Sequence, residues 1–321
     1  MIVSWDNRYT AQVVALWNRE ADKDSYKELT EAAFQDTFLN NPYFNRDSAF
    51  VWMEQEEVKG FACGCIGDDL PLGADAGYIT CIILDNDSRT SGNYKLLLDA
   101  LEKSFIDAGK KQADILFFNP MKLIWTIPGT EGHEHNNAPG LPIDSQLYSF
   151  LLEQGYVERA KQCGMYLNLA EFSIPDDIKA KEAKAASKGY SVELYDPSKH
   201  SGIDEMAKSF DNPMWEKEIP HHAAKGDPVV IAAFEGKTVG FAGPIIRQDN
   251  GRAFFCGIGV NAEHEGHGLG SILFFKMCEA FQTIHTDYIS LFTGSTNPAI
   301  RIYEKAGFRT VKQFGVLRRE F

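Results

Sequence analysis

The chain has 321 residues, 44% hydrophobic and 24% charged, which suits a globular protein with a proper core and length enough for two domains. A formal net charge of −13 argues against a nucleic-acid backbone as partner, because neutralising phosphates takes Lys and Arg. No apolar run approaches the ~18 residues that span a membrane, the first residues lack the basic and apolar regions of a signal peptide, and the six cysteines form no C-x-x-C pair, so a reducing cytosol is the natural compartment.

In chain order, residues 49–53 and 58–66 read as a hairpin. Residues 89–94 form a polar loop, followed by a helix with Leu96, Leu97, Leu101 and Phe105 in phase and then a short strand at 115–118. Residues 120–144 are rich in Gly, Pro, His and Asn and read as a long irregular insertion able to reach over a cleft. A charged, Ala-rich stretch at 173–189 reads as a linker holding a solvent-exposed helix at 176–187. A strand at 190–194 follows, then the polar-aromatic segment 215–222, a second hairpin at 229–234 and 239–246, and a strand at 253–260. Next come a glycine loop, an apolar helix at 271–281, a strand at 288–292 and a last helical segment at 297–308.

The glycine loop carries the most chemical information. Gly266, Gly268 and Gly270 sit where a strand hands over to a helix, so the backbone can turn tightly and approach a ligand closely. Helix-opening amides lack internal partners and point outward, which makes such a loop a cradle for phosphate. A plain surface turn is the alternative. A dinucleotide site needs G-x-G-x-x-G, and a P-loop needs Gly-Lys-Ser/Thr at its end; the spacing G-x-G-x-G followed by Ser271-Ile272 fits neither well.

The order strand, glycine loop, helix, strand, then Asn297-Pro298-Ala299 leading to Tyr303-Glu304-Lys305-Ala306-Gly307-Phe308, resembles the GNAT acyltransferase superfamily. The resemblance implies acetyl-CoA as cosubstrate. It places the diphosphate on Glu265, Gly266, His267, Gly268, Leu269 and Gly270, with Ser271 opening the helix, and the pantetheine on the amides of Ile258, Gly259 and Val260. It also sets Asn297 and Ala299 along the pantetheine arm, and Tyr303 as the acid that protonates the leaving thiolate. Glu265 departs from the family's Arg or Gln, which implies weaker binding. Without the resemblance, Tyr303 is equally an aromatic packing on a sheet.

A repeat runs through the chain. Val58-Lys59-Gly60-Phe61-Ala62 aligns with Thr238-Val239-Gly240-Phe241-Ala242, and residues 89–94 with 265–270. Residues 115–118 answer 289–292, Gln154-Gly155-Tyr156 answers Ala306-Gly307-Phe308, and Lys161-Gln162-Cys163-Gly164 answers Lys312-Gln313-Phe314-Gly315. In the first copy Tyr94 replaces the last glycine, Leu151 stands at the place of Tyr303 and Ser145 at that of Asn297. The fold class is therefore mixed α/β, as two tandem GNAT-like acyl-CoA N-acyltransferase domains, each a twisted mixed sheet with helices on both faces. The expected division is a degenerate copy at 1–172, the linker at 173–189 and the working copy at 190–321.

The reading is a cytosolic N-acetyltransferase moving acetyl from acetyl-CoA to an amine of a small molecule or peptide, with no nucleic-acid or membrane partner and no metal. The alternative is a non-catalytic acyl-CoA-binding or protein-interaction module on a decayed scaffold. A transferase using aminoacyl-tRNA is disfavoured by the acidic charge. Glu218, His221, His222, Glu263 and His264 are candidate general bases, each also readable as ordinary surface. Arg301 and Lys305 lie near the cofactor phosphates or on a solvated helix face. His133 and His135, flanked by Glu131 and Glu134, read as a polar turn rather than a metal site.

Overall fold

A computed structural model describes residues 1–115, 117 and 119–321. Both expected hairpins form, as Phe44–Glu54 with Glu57–Cys65 and as Val230–Phe234 with Lys237–Gly243. Their turns share one geometry. Gln55 and Glu56 have φ of 47° and 69°, Glu235 and Gly236 have 50° and 82°, and such paired positive values match the twist of the flanking strands. Each hairpin also shifts register next to its turn, at Trp52/Met53 and at Ala232/Ala233. The aligned glycines have a shared cause as well: a Cβ on Gly60 would lie 3.1 Å from a methyl of Leu97, and one on Gly240 3.3 Å from a methyl of Leu273. Each hairpin is thus pressed on the helix that follows it, at the equivalent leucine.

The chain forms two compact units that are not contiguous in sequence: residues 1–164, 292–296 and 310–321, and residues 165–291 and 297–309. In the first unit the strand order is Ile2–Ser4, Phe44–Glu54, Glu57–Cys65, Ala76–Leu84, Gln112–Ile115, Arg309–Glu320, Val157–Asn168. Ala76–Tyr78 pairs parallel with Gln112–Asp114. Of the strand expected at 115–118, Leu116 and Phe118 lie outside the described residues. The helix Ser91–Asp107 buries Leu97, Leu98, Leu101 and Phe105 on this sheet.

The chain's last strand pairs antiparallel with Gln112–Ile115, Leu317 opposite Ile115. The first unit therefore takes its sixth strand from the far end of the chain, whereas the repeat alone assigns 190–321 to the second copy. Leu317 is fully buried in the first unit's core, and Arg318 grips the buried Asp114 with two hydrogen bonds of 3.0 Å. Leu317→Ala should cost about 2–5 kcal/mol. Hydrogen exchange should then speed up in Gln112–Ile115 and not in Val230–Phe234; the reverse pattern would place the strand with the second unit.

The insertion is not an open loop. Met121, Leu123, Trp125, Ile127, Ala138 and Leu141 are buried, and Trp125–Thr126 pairs with Glu134–His135. Trp125 lies 5.1 Å from Phe314 and 6.0 Å from Phe292, ring to ring. Its apolar residues, few but large, draw the segment into the first unit's core.

The second unit has a four-stranded sheet in the order Tyr190–Leu194, Val230–Phe234, Lys237–Gly243, Gly257–Val260. The strand expected at 253–260 is broken. Ala253–Phe254 pairs with Ile246–Arg247, and only Gly257–Val260 joins the sheet. Helix Leu269–Thr283 packs on it through eight buried side chains, among them Leu273, Phe274 and Phe275. The helix expected as an exposed linker, seen as Asp176–Ala186, belongs to this unit: Ile178 and Ala185 are buried, and Glu182 pairs with Lys276 at 3.4 Å. The segment 215–222 is part of a helix, Pro213–Lys225, despite Pro220 within it. Among the described residues no helix is long and apolar enough to cross a membrane.

Candidate active site

Gly257–Val260 borders Lys237–Gly243 on one side only. Its neighbour in the repeat, Tyr288–Gly294, meets this region through one parallel bridge, Arg252 to Tyr288, with no further ladder between the two among the described residues. Asn261 donates its amide to Val239, and antiparallel pairs alternate between bonded and non-bonded. With Phe241 opposite Gly259, that alternation turns the amides of Ile258 and Val260 toward the open edge. A slot lined by unpaired backbone donors results.

At the end of this strand a short turn of helix, Ala262–His264, leads into the glycine loop. Gly266 and Gly268 have φ of 78° and 77°, values that strain any other residue type, so two of the three glycines are required by the backbone itself. A Cβ on Gly270 would meet nothing nearer than Val260, at 4.0 Å, so this position is open rather than tight. Gly268 caps helix Leu269–Thr283 and offers no side-chain acceptor. The first intrahelical amide bond runs from Ile272 to Gly268 at 3.2 Å, which leaves the amides of Leu269, Gly270 and Ser271 free for an anion. Glu265 is exposed. His267 approaches Lys188 at 3.4 Å through Nδ1.

Tyr303 stands on the short helix Ile300–Lys305, its ring 4.9 Å from Phe274 of the helix that opens at the glycine loop. Burial pushes its phenol above the ordinary value, so the proton stays on oxygen at neutral pH. Asn297 accepts the Ala299 amide at 2.9 Å in the turn before this last helix, which Ala299 caps. That bond occupies the Asn297 oxygen and leaves its NH2 free for other contacts. Arg301 is exposed, and Lys305 pairs with Asp177.

The candidate bases separate sharply. His264 is held by the Tyr190 hydroxyl at 3.0 Å and by the ring of Phe234, and Glu263 lies exposed on the turn. His222 is different: its Nδ1 lies 2.7 Å from Asp227, and its Nε2 lies 3.6 Å from Glu218. His221 is exposed beside it. In the first unit His135 is buried against Phe292, 4.1 Å between rings, and Glu134 pairs with Lys27, so this histidine packs the core. No cluster of three metal-ligating side chains occurs among the described residues.

The model of the acetyltransferase (GNAT) family matches residues 193–308. This segment is a GNAT acetyltransferase domain. Solved structures extend the fold to the whole chain. A GCN5-related N-acetyltransferase from Sphaerobacter thermophilus is 14% identical with a TM-score of 0.61, covering 100% of this chain and 95% of its own. A tandem GNAT protein from the clavulanic acid biosynthesis pathway is 13% identical with a TM-score of 0.56, covering 100% and 98%. The GCN5-related glucosamine N-acetyltransferase region of a fungal multi-domain β-N-acetylglucosaminidase is 15% identical with a TM-score of 0.65; the match takes in 99% of this chain but only 38% of the fungal one. At such identities the likeness is one of fold. Comparison with curated proteins finds no match.

Ahead of the GNAT domain, the helix Asp176–Ala186 and the turn that follows it supply residues that the sequence reading missed. Lys181 and Lys184 of the helix and Lys188 of the turn, with Gly266, His267 and Gly268, line a cavity of about 220 Å³. None of the three lysines makes an ion pair among the described residues, in a chain with a net charge of −13. Glu265 makes no ion pair with these lysines among the described residues. The signal was a lysine spacing of three and four running from a helix set aside as linker into the turn after it.

The equivalent loop of the first unit is already satisfied by its own side chains. Thr90 caps helix Ser91–Asp107 by accepting the Asn93 amide at 3.2 Å, and Arg89 is bound to the buried Glu20 at 2.9 Å. Tyr94 turns into the core and stacks on Phe150 at 5.3 Å. The slot beside residues 79–83 of that unit retains about 30 Å³, with Leu123, Ala138 and Leu141 of the insertion among its walls.

Proposed function

We propose that the second unit transfers the acetyl group of acetyl-CoA to a primary amine of a small molecule or peptide, within the cytosol. The observation that carries this reading is the uncapped start of helix Leu269–Thr283, set on two glycines with positive φ beside three lysines that make no ion pair among the described residues. A diphosphate fits that cradle: the amides of Leu269, Gly270 and Ser271 are free to donate and the lysines supply charge. The open edge at Ile258 and Val260 would receive the pantetheine amides and polarise the thioester carbonyl. Bound there, the thioester supplies an activated acetyl group. The protein's part is to orient it, exclude water and provide a proton from Tyr303 to the departing sulfur. We further propose that residues 1–172 act as a non-catalytic copy, which the capped loop and the narrow slot of the first unit support.

The test is thiol release from acetyl-CoA with ethylenediamine, glycinamide, glucosamine and a lysine peptide, using wild type and the triple variant Lys181→Ala, Lys184→Ala, Lys188→Ala. At least one amine should be acetylated. Removing three exposed charge-assisted contacts should raise the Kd for acetyl-CoA roughly 10–100-fold, more at low salt. Wild type that acetylates none of the four amines, or a triple variant with unchanged affinity, contradicts the reading.

A further inference from the structure

Every acid of the helix Asp176–Ala186 is engaged. Asp176 pairs with Lys179 at 3.2 Å, Asp177 with Lys305, and Glu182 with Lys276 at 3.4 Å. Lys181 and Lys184 of the same helix make no ion pair among the described residues, nor does Lys188 on the turn that follows. Lys181 and Lys184 are neighbours on the helix surface, where like charges repel. Three exposed ammonium groups gathered on one cavity cost stability unless an anion offsets them.

Two contacts tie the lysines to the glycine loop. A Cβ on Gly268 would lie 3.7 Å from Cδ of Lys181, so the stem of that lysine runs beside the loop. Lys188 Nζ lies 3.4 Å from Nδ1 of His267. An ammonium can only donate, so Nδ1 accepts and the neutral ring keeps its proton on Nε2. The Tyr190 ring, 4.8 Å away, holds the imidazole from its other side. The lysines thus meet the loop at Gly266–Gly268, just before the free amides of Leu269, Gly270 and Ser271. Two anion receptors of different chemistry stand side by side, a row of neutral amide donors and a group of ammonium charges.

Two such receptors suit a ligand with two kinds of phosphate. The diphosphate of CoA continues the pantetheine arm and falls on the amides at the helix start. The second kind is the monoester on the ribose 3′-oxygen, which carries about −1.5 to −2 at neutral pH, concentrated at one end of the molecule. Lysine binds phosphate as a compact point charge, and three of them match a dianion better than neutral amides do. We propose that Lys181, Lys184 and Lys188 receive the 3′-phosphate of the cofactor and select it over the 3′-dephospho form. The proposal rests on the acetyl-CoA reading of the glycine loop and adds which phosphate the lysines recognise. All three lysines precede residue 193, where the family match begins, so this selection comes from an addition ahead of the GNAT domain. Inorganic phosphate shares the monoester's chemistry, and the experiment separates the two.

Calorimetry at fixed ionic strength compares acetyl-CoA with acetyl-3′-dephospho-CoA on wild type and on the triple variant Lys181→Ala, Lys184→Ala, Lys188→Ala, with thermal unfolding as the check on folding. Wild type should bind acetyl-CoA about 10–100-fold more tightly than the dephospho form. In the triple variant the two forms should bind within about twofold of each other, at the affinity wild type has for the dephospho form. Adenosine 3′,5′-bisphosphate, which has no thioester, should displace acetyl-CoA from wild type better than ADP does. Inorganic phosphate that displaces it as well as the bisphosphate would make the cavity a free-phosphate site and overturn the proposal. Wild type that does not distinguish the two forms also overturns it, as does a variant that loses the same factor for both. Wild type that binds neither form refutes the acetyl-CoA reading itself, and the proposal with it.

Discussion

Gly268→Trp is expected to abolish acetyl-CoA binding while leaving the protein folded. At this position φ is 77°, and a non-glycine residue costs roughly 1–2 kcal/mol there. The space is not blocked, since a Cβ would meet only the far end of the Lys181 side chain, at 3.7 Å. The fold should therefore survive with a modest loss of stability. Binding should not. An indole at the cap covers the amides of Leu269, Gly270 and Ser271, and losing two hydrogen bonds to a charged group is worth ~3–6 kcal/mol, more than about 100-fold in Kd. Calorimetry checks the affinity and thermal unfolding checks the fold. A variant that binds acetyl-CoA as wild type does would remove the loop from the cofactor site.

Tyr303→Phe is expected to lower kcat about 10²–10³-fold without changing acetyl-CoA affinity, the loss typical of a missing general acid. Phenylalanine keeps the ring on Phe274 and Phe308, 4.9 Å and 6.0 Å away, so the core around it is preserved. Because burial raises the phenol above its ordinary value, the wild-type hydroxyl remains a donor well past neutrality. Single-turnover thiol release separates this step from binding. Full activity in the variant would make Tyr303 a packing residue.

The hairpins and the glycine loop were legible in the sequence because their signals are local. Alternating strands, a tight turn and a glycine under a leucine recur at Gly60 and Gly240, and the structure gives both the same cause. The destination of the last strand was not legible. Phe314 and Leu317 are buried on opposite faces of this strand, and nothing local says which sheet they complete. The insertion misled through composition: many Gly, Pro and His residues hid the few large apolar ones, Trp125 above all, that fix it to the core. At the candidate site, the backbone cradle was readable, as was the tyrosine through its family resemblance. The lysine row was not, because lysines on and just after an Ala-rich helix look the same whether they face water or a cavity. Nor was the His222–Asp227 pair, which depends on how the helix ends at Gly226.

The most direct test of the account is calorimetric titration of acetyl-CoA into the wild-type chain. One molecule should bind per chain, in the second unit, and binding should weaken as salt screens the lysines. No detectable binding, or binding that survives in Gly268→Trp, would contradict it.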